Sequence, residues 1–259
     1  VHLFDPHQPW RPPEPFGTRY AAAPYDGEVA YTDHALAALL EALRARDPEG
    51  RTLVVLTGDH GESLGEHGEL THGYFAYNAT LHVPLILSGA GIKPARIAAN
   101  VGHVDIFPTV CDLLGIEAPA GLQGGSLRAL IEGKKADSPP VYFESLNPYT
   151  SRGWAPLRGY LEGNEKFIET PLPELYDLSS DFGEARNLAA ARDLAAGPCD
   201  PRTVGTRGDA PHGPVTPGTS AMTADLRASA PLQATARCSA RRADCAATSA
   251  ESFSSPLSS

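Results

Sequence analysis

Apolar positions in EVAYTDHALAALLEALRARD fall at Val29, Leu36, Leu39, Leu40 and Leu43. That is one face of a helix, expected to start at Asp26 or Gly27 and to stop before Pro48. TLVVLT at 52–57 is apolar without alternation, the pattern of a strand buried on both faces of a parallel sheet. VPLILS at 83–88 reads as a second strand and runs into GAG, a turn signal. In VDIFPTVCDLLG, Ile106, Val110, Leu113 and Leu114 recur at helical spacing, with Asp105 as a candidate N-cap and Gly115 as a stop. This order predicts an α/β layer, a central and largely parallel mixed sheet with flanking helices. From about residue 140 the texture changes to VYFES, LRGYLEG and EKFIE, short β-like pieces broken by Pro and Gly that suit a small antiparallel sheet. PELYDLSSDFGEARNLAAARDLAA then predicts a turn and a closing helix, and no internal repeat is visible.

Composition separates this body from the remainder of the chain. From Gly197 the residues are mostly Ala, Ser, Thr, Pro and Arg, with Phe253 as the sole aromatic, too little apolar surface to offset the entropy of ordering. The expected organisation is a main α/β region over 1–138, a β-rich subdomain with the closing helix over 139–196, and a disordered tail over 197–259. The first 196 residues carry 15 Lys and Arg against 26 Asp and Glu, a net −11, while the tail is slightly positive, and this acidic body argues against nucleic acid or an anionic membrane as partner. No apolar run reaches the length of a membrane span. Cys111 sits in an apolar helical pattern as a core residue, and Cys199, Cys238 and Cys245 match no metal knuckle or redox pair. The chain opens in a short apolar run, VHLF, without lead-in, so an earlier part of the fold is expected upstream, together with any signal peptide or anchor. Compartment and oligomeric state are left open.

In open α/β sheets ligands gather beyond the carboxyl ends of strands, and TLVVLT ends there in Gly58, Asp59, His60 and Gly61. A glycine-led turn lets the adjacent carboxylate and imidazole bend towards one cation, an O,N pair suited to divalent ions from calcium to zinc. The plainer alternative is a polar strand end in which Asp59 caps the next turn. His72, in the Gly-rich GEHGELTHGY, could donate a proton to a leaving oxygen or hydrogen-bond an oxyanion. His7, in DPHQPW, divides between catalytic contact and loop anchor. His67 is read as organising its loop, and His34, His82, His103 and His212 as structural. Glu62, Glu66 and Glu69 belong either to the site or to the solvation of a glycine-rich loop. No phosphate-binding Gly loop or HExxH helix occurs.

DPHQPW, APYDGEVAYTD, TLVVLTGDHGESLGEHG, THGYFAYNATLHVPLI, VGHVDIFPTVCDLLGI, LQGGSL and ELYDLSSDFGEARNL together resemble the later part of the sulfatase family, in the alkaline-phosphatase-like superfamily, over about residues 1–190. The resemblance implies that fold with its N-terminal part missing. It also implies hydrolysis of a small-molecule or saccharide sulfate ester by a hydrated formylglycine that attacks sulfur, with a divalent cation, foremost Ca2+ and otherwise Mn2+, Mg2+ or Zn2+, on the sulfate oxygens. Formylglycine arises from a CxPSR-like or SxPSR-like motif, which these residues do not contain, so the chain alone is expected to be inactive. Carried over, Asp59 resembles the late metal-ligand aspartate and His7 the histidine of the PHxP segment. His60 stands where many sulfatases have asparagine and related phosphonate monoester hydrolases and phosphodiesterases have histidine. His72 stands where the family often has a sulfate-binding lysine. The alternatives are therefore a phosphonate monoester hydrolase or phosphodiesterase of the same superfamily, and a non-catalytic remnant, with a metal-dependent isomerase or mutase behind them.

Overall fold

A computed structural model describes residues 1–89, 91–136 and 138–192, and the backbone of 221–223. The chain divides into two compact units, one containing Val1–Arg46 and the other Asp47–Pro231. In the first, α1 (Phe16–Arg19) precedes the long α2 (Pro24–Arg46). Helix α2 starts earlier than its apolar spacing predicts, because Pro24 is tolerated in a first turn whose N–H groups have no intrahelical acceptor. Its buried residues are Gly27 and Glu28 rather than the leucine stripe. A Cβ on Gly27 would lie 2.7 Å from the Pro12 ring, so the proline-rich segment packs against α2 only where the side chain is missing. Buried Glu28 accepts a hydrogen bond from the Arg11 backbone N–H at 2.5 Å, and burial pushes its carboxyl above the ordinary glutamate value.

In the second unit β1 (Val54–Thr57) pairs with β2 (Leu85–Ser88), joined through α3 (Asn78–Leu81). The pair is antiparallel, Val54 opposite Ser88 and Thr57 opposite Leu85, which overturns the expected largely parallel sheet. A parallel neighbour needs a crossover that carries the chain back to the strand's starting end. Residues 58–84 supply instead a Gly-rich loop and two helical pieces of one turn or less, so the chain returns where it left. The apolar run of β1 is half-buried along Val54–Leu56 rather than fully covered. Its core gathers Val83, Leu85, Leu87, Val101, Leu127 and Ile131.

Strand β3 (Asn100–Gly102) leads into α4 (Ile106–Leu114), stopped by Gly115 in the left-handed conformation at φ 68°. Asp105 does not cap α4 with its side chain; its carboxylate accepts instead from the N–H groups of Gly102 at 2.8 Å and Gly125 at 2.9 Å. After α5 (Arg128–Ile131) come β4 (Val141–Ser145), α6 (Asn147–Arg152), β5 (Leu157–Glu162), β6 (Glu165–Glu169) and β7 (Glu174–Asp177). These four strands form one antiparallel sheet in sequence order. One face buries Val141, Phe143, Leu157, Leu161 and Ile168 against Ala76 and Leu81, while the other sets Tyr160, Phe167 and Leu175 against Leu188 and Ala189. ELYD, read as part of a turn, is the fourth strand, and Ala189–Ala191 form a single 3-10 turn in the segment expected as a closing helix. The tail expected to be disordered lies outside the described residues except for the backbone of β8 (Ala221–Thr223), antiparallel to β3. Among the described residues no helix is long and apolar enough to cross a membrane.

Candidate active site

The turn after β1 is held at both ends. His103 Nε2 and the Gly58 carbonyl lie 2.8 Å apart, and the Gly61 N–H donates to the Thr80 carbonyl of α3 at 2.7 Å. A Cβ on Gly61 would sit 2.2 Å from the Ala79 carbonyl oxygen. Gly61, rather than the expected Gly58, is thus the position where the turn needs glycine, and the requirement is space.

Asp59 and His60 share one side of this turn. Asp59 Oδ1 accepts the His60 backbone N–H at 3.0 Å, and Oδ2 lies 3.8 Å from His60 Nε2. His60 Nδ1 donates to the Gly61 carbonyl at 2.9 Å, which fixes the ring and turns Nε2 towards the aspartate. The two side chains are 85% and 38% exposed, so both atoms can be approached from solvent. A separation of 3.8 Å lets both reach one cation at ligand distances of about 2.0–2.4 Å, so the pair fits as two members of a donor set. Among the described residues no group of three or more His, Cys, Asp or Glu is arranged to hold a metal ion.

His72 joins them. Its ring centroid lies 4.1 Å from that of His60, tilted by 35°. Nδ1 donates to Glu62 Oε1 at 3.0 Å, with Thr71 Oγ1 at 3.3 Å. The Glu62 side chain is buried, so the imidazole is oriented by an acidic partner ten residues earlier that sequence reasoning left undecided. Glu69 is buried as well and binds the loop to itself: its carboxylate accepts the N–H groups of Tyr74 at 2.8 Å and Phe75 at 3.3 Å. Burial raises its carboxyl above the usual value, against the pull of those two N–H donors and of His72. Glu66 closes the loop tip through the Leu64 N–H at 2.6 Å. His67 stacks on Tyr77 with centroids 3.6 Å apart, and its Nε2 meets the Gly183 carbonyl at 3.1 Å.

The structure therefore gathers Asp59, His60 and His72. His7 belongs to the other unit, where Nδ1 donates to the Gln8 carbonyl at 2.7 Å and the ring stacks on Phe4. Sequence reasoning missed the buttress behind the loop. Lys166 Nζ lies 2.5 Å from Glu184 Oε1, and Glu184 Oε2 accepts the N–H of Asn78, the first residue of α3, at 2.6 Å. The signal was present in EKFIE, where Lys166 shares strand parity with the core residue Ile168.

The sulfatase family profile matches residues 1–116, and a profile described as N-sulphoglucosamine sulphohydrolase, C-terminal, matches residues 65–196. The chain is 33% identical over 166 residues to a Delta 4,5-hexuronate-2-O-sulfatase of Bacteroides thetaiotaomicron, covering 58% of this chain and 33% of that protein. It is 34% identical over 182 residues to Arylsulfatase K of Homo sapiens, covering 64% and 33%. The phosphonate monoester hydrolase of Agrobacterium radiobacter superposes with a TM-score of 0.54 at 28% identity, covering 68% of this chain and 38% of that one. The chain thus spans about a third of the length of the curated relatives it matches.

Proposed function

Since the chain belongs to the sulfatase family, we propose that it forms part of a sulfuric ester hydrolase acting on a sulfated saccharide or another small sulfate monoester. The observation that carries this reading is the convergence of Asp59, His60 and His72 at the end of β1. Asp59 Oδ2 and His60 Nε2 would hold one divalent cation, with further ligands from outside these residues. Ca2+ is our first choice because the aspartate is a hard oxygen donor, with Mn2+, Mg2+ or Zn2+ next in view of the imidazole. When bound, the cation supplies positive charge at the oxygens of the ester, and a formylglycine supplies the attacking oxygen. We place the formylglycine outside these residues, which contain no CxPSR or SxPSR sequence.

Glu62 engages His72 through Nδ1, and we propose that Nε2 contacts the ester. In the protonated ring, Nε2–H donates to a sulfate oxygen or to the departing alkoxide while Glu62 holds the proton at Nδ1. The Gly61 N–H bond to Thr80 keeps the Asp59–His60 turn from rotating away, and Glu69 does the same for the strip carrying His72. For His7 a part in leaving-group protonation rests on the PHxP resemblance alone.

The test is a parallel assay of the complete polypeptide on an aryl sulfate, a phosphonate monoester and a phosphate diester, with Asp59→Asn and His72→Ala beside it. Sulfate hydrolysis should dominate and fall at least about a hundredfold in either variant. A specific observation favours a second reading, phosphonate monoester hydrolysis: His60 follows Asp59, and the chain resembles a phosphonate monoester hydrolase. Sulfate turnover no larger than phosphonate turnover would select it.

A further inference from the structure

Beside His72 lies a patch that the chemistry above does not use. The strip His72–Gly73–Tyr74 is clamped from one side by the second sheet: Ser145 Oγ donates to the Gly73 carbonyl at 3.1 Å, and a Cβ on Gly73 would touch Asn147 Nδ2 at 3.3 Å. Helix α6 starts at that contact and ends at Arg152, whose Nη2 donates to the Tyr74 hydroxyl at 3.4 Å. The chain then turns through Gly153, left-handed at φ 67°, and Trp154 comes to lie with its ring centroid 6.3 Å from that of Tyr74. Trp154 is 56% exposed, although an indole gains much by burial, so over half of its surface faces solvent two residues from Arg152.

The charge is as distinctive as the aromatic surface. In a chain of net charge −10, Arg152 forms no ion pair with a carboxylate among the described residues, and its hydrogen-bond partner there is the neutral Tyr74. An exposed indole matches the C–H face of a pyranose ring, and a guanidinium matches a carboxylate or sulfate in a planar, two-pronged fashion. We infer that Trp154, Arg152 and Tyr74 form a subsite for an anionic pyranose, the sugar next to the one whose ester meets His72. This rests on the sulfated-saccharide reading and extends it, since it makes the substrate at least a disaccharide with a second acidic ring.

The test uses the complete polypeptide and four variants: Trp154→Ala, Trp154→Phe, Arg152→Gln and Arg152→Lys. The probes are methyl sulfate, too small to leave the ester site, a heparin-derived disaccharide with a 2-O-sulfated uronate, and neutral diacetylchitobiose. Trp154→Ala should weaken both disaccharides about tenfold and Trp154→Phe restore most of the loss, while Arg152→Gln weakens only the anionic one, by about tenfold, and Arg152→Lys recovers part of it. kcat/KM for methyl sulfate should stay within about twofold in all four, because exposed side chains outside the ester site are changed. Equal losses on methyl sulfate, or unchanged disaccharide affinity, would overturn the inference. So would an altered oligomeric state of Trp154→Ala at unchanged affinity, which would make the patch a contact between copies of the protein. Calorimetric titration of the same disaccharides reads the subsite without turnover, so absence of sulfate hydrolysis would refute the proposed function while this selectivity pattern still upheld or overturned the subsite.

Discussion

The Lys166–Glu184 pair gives the sharpest test of how the second sheet supports the site. Both side chains are only 1% exposed, with Nζ 2.5 Å from Oε1, 3.3 Å from Asn78 Oδ1 and 5.2 Å from the Phe143 ring centroid. Burial pulls the Lys166 ammonium below its ordinary range, while Glu184 draws it back up. Replacing one partner leaves the other charge in a site closed to water, a loss of about 3–5 kcal/mol. Replacing both removes the uncompensated charge, so Lys166→Met with Glu184→Gln should cost less than the two single changes together, by at least about 2 kcal/mol. The damage also travels. Glu184 holds the first N–H of α3, and the Thr80 carbonyl of α3 holds Gly61 next to His60, so either single variant should loosen the candidate metal pair. Urea unfolding of the complete polypeptide, followed by tryptophan fluorescence, measures the first effect, and calcium titration calorimetry the second. Single variants that lose less than about 1 kcal/mol, or a double variant that is simply additive, would refute the claim that an obligatory buried pair supports this region.

Asp59→Asn should reduce calcium affinity at least about tenfold by calorimetry, since the carboxylate proposed to hold the cation is exchanged for a neutral amide. Thr109→Val should lose about 1–3 kcal/mol in urea unfolding, because the fully buried hydroxyl donates to the Asp105 carbonyl at 2.6 Å and accepts the Leu127 N–H at 2.8 Å. Gly61→Ala should destabilise by about 1–3 kcal/mol and weaken calcium binding with it, the new methyl lying 2.2 Å from a backbone oxygen. Glu69 has a folded carboxyl raised by burial, so between the unfolded value near 4.5 and the raised one the folded state holds more protons. Its titration therefore lowers stability as pH rises through that window, and unfolding measured from pH 4 to 7 should show this slope reduced in Glu69→Gln.

Elements announced by a period or a cap were legible from residues alone. Helix α4 lies where Ile106, Val110, Leu113 and Leu114 place it and stops at Gly115, because a left-handed C-terminal position strongly favours glycine. The strands in VYFES and EKFIE show the same legibility. Strand direction did not. VVLT and LILS are apolar whichever way they pair, and antiparallel pairing follows from residues 58–84 holding no crossover, a property of a loop whose course depends on contacts distant in sequence. The site divides along the same line. Asp59 and His60 are neighbours, so a strand end and a glycine-rich turn suffice to nominate them. The partner of His72 is Glu62, and only a loop folded around buried Ser63 and Glu69 brings the two within 3.0 Å. In isolation each acidic residue of that loop reads equally well as a solvated charge. Burial separates them: Glu62 orients an imidazole, Glu69 receives two backbone N–H groups, and Glu66 ties the loop tip. Each of the three carboxylates is engaged by a donor within its own loop, which is how they are reconciled with the proposal that Asp59, His60 and His72 face a cation and the ester it would hold.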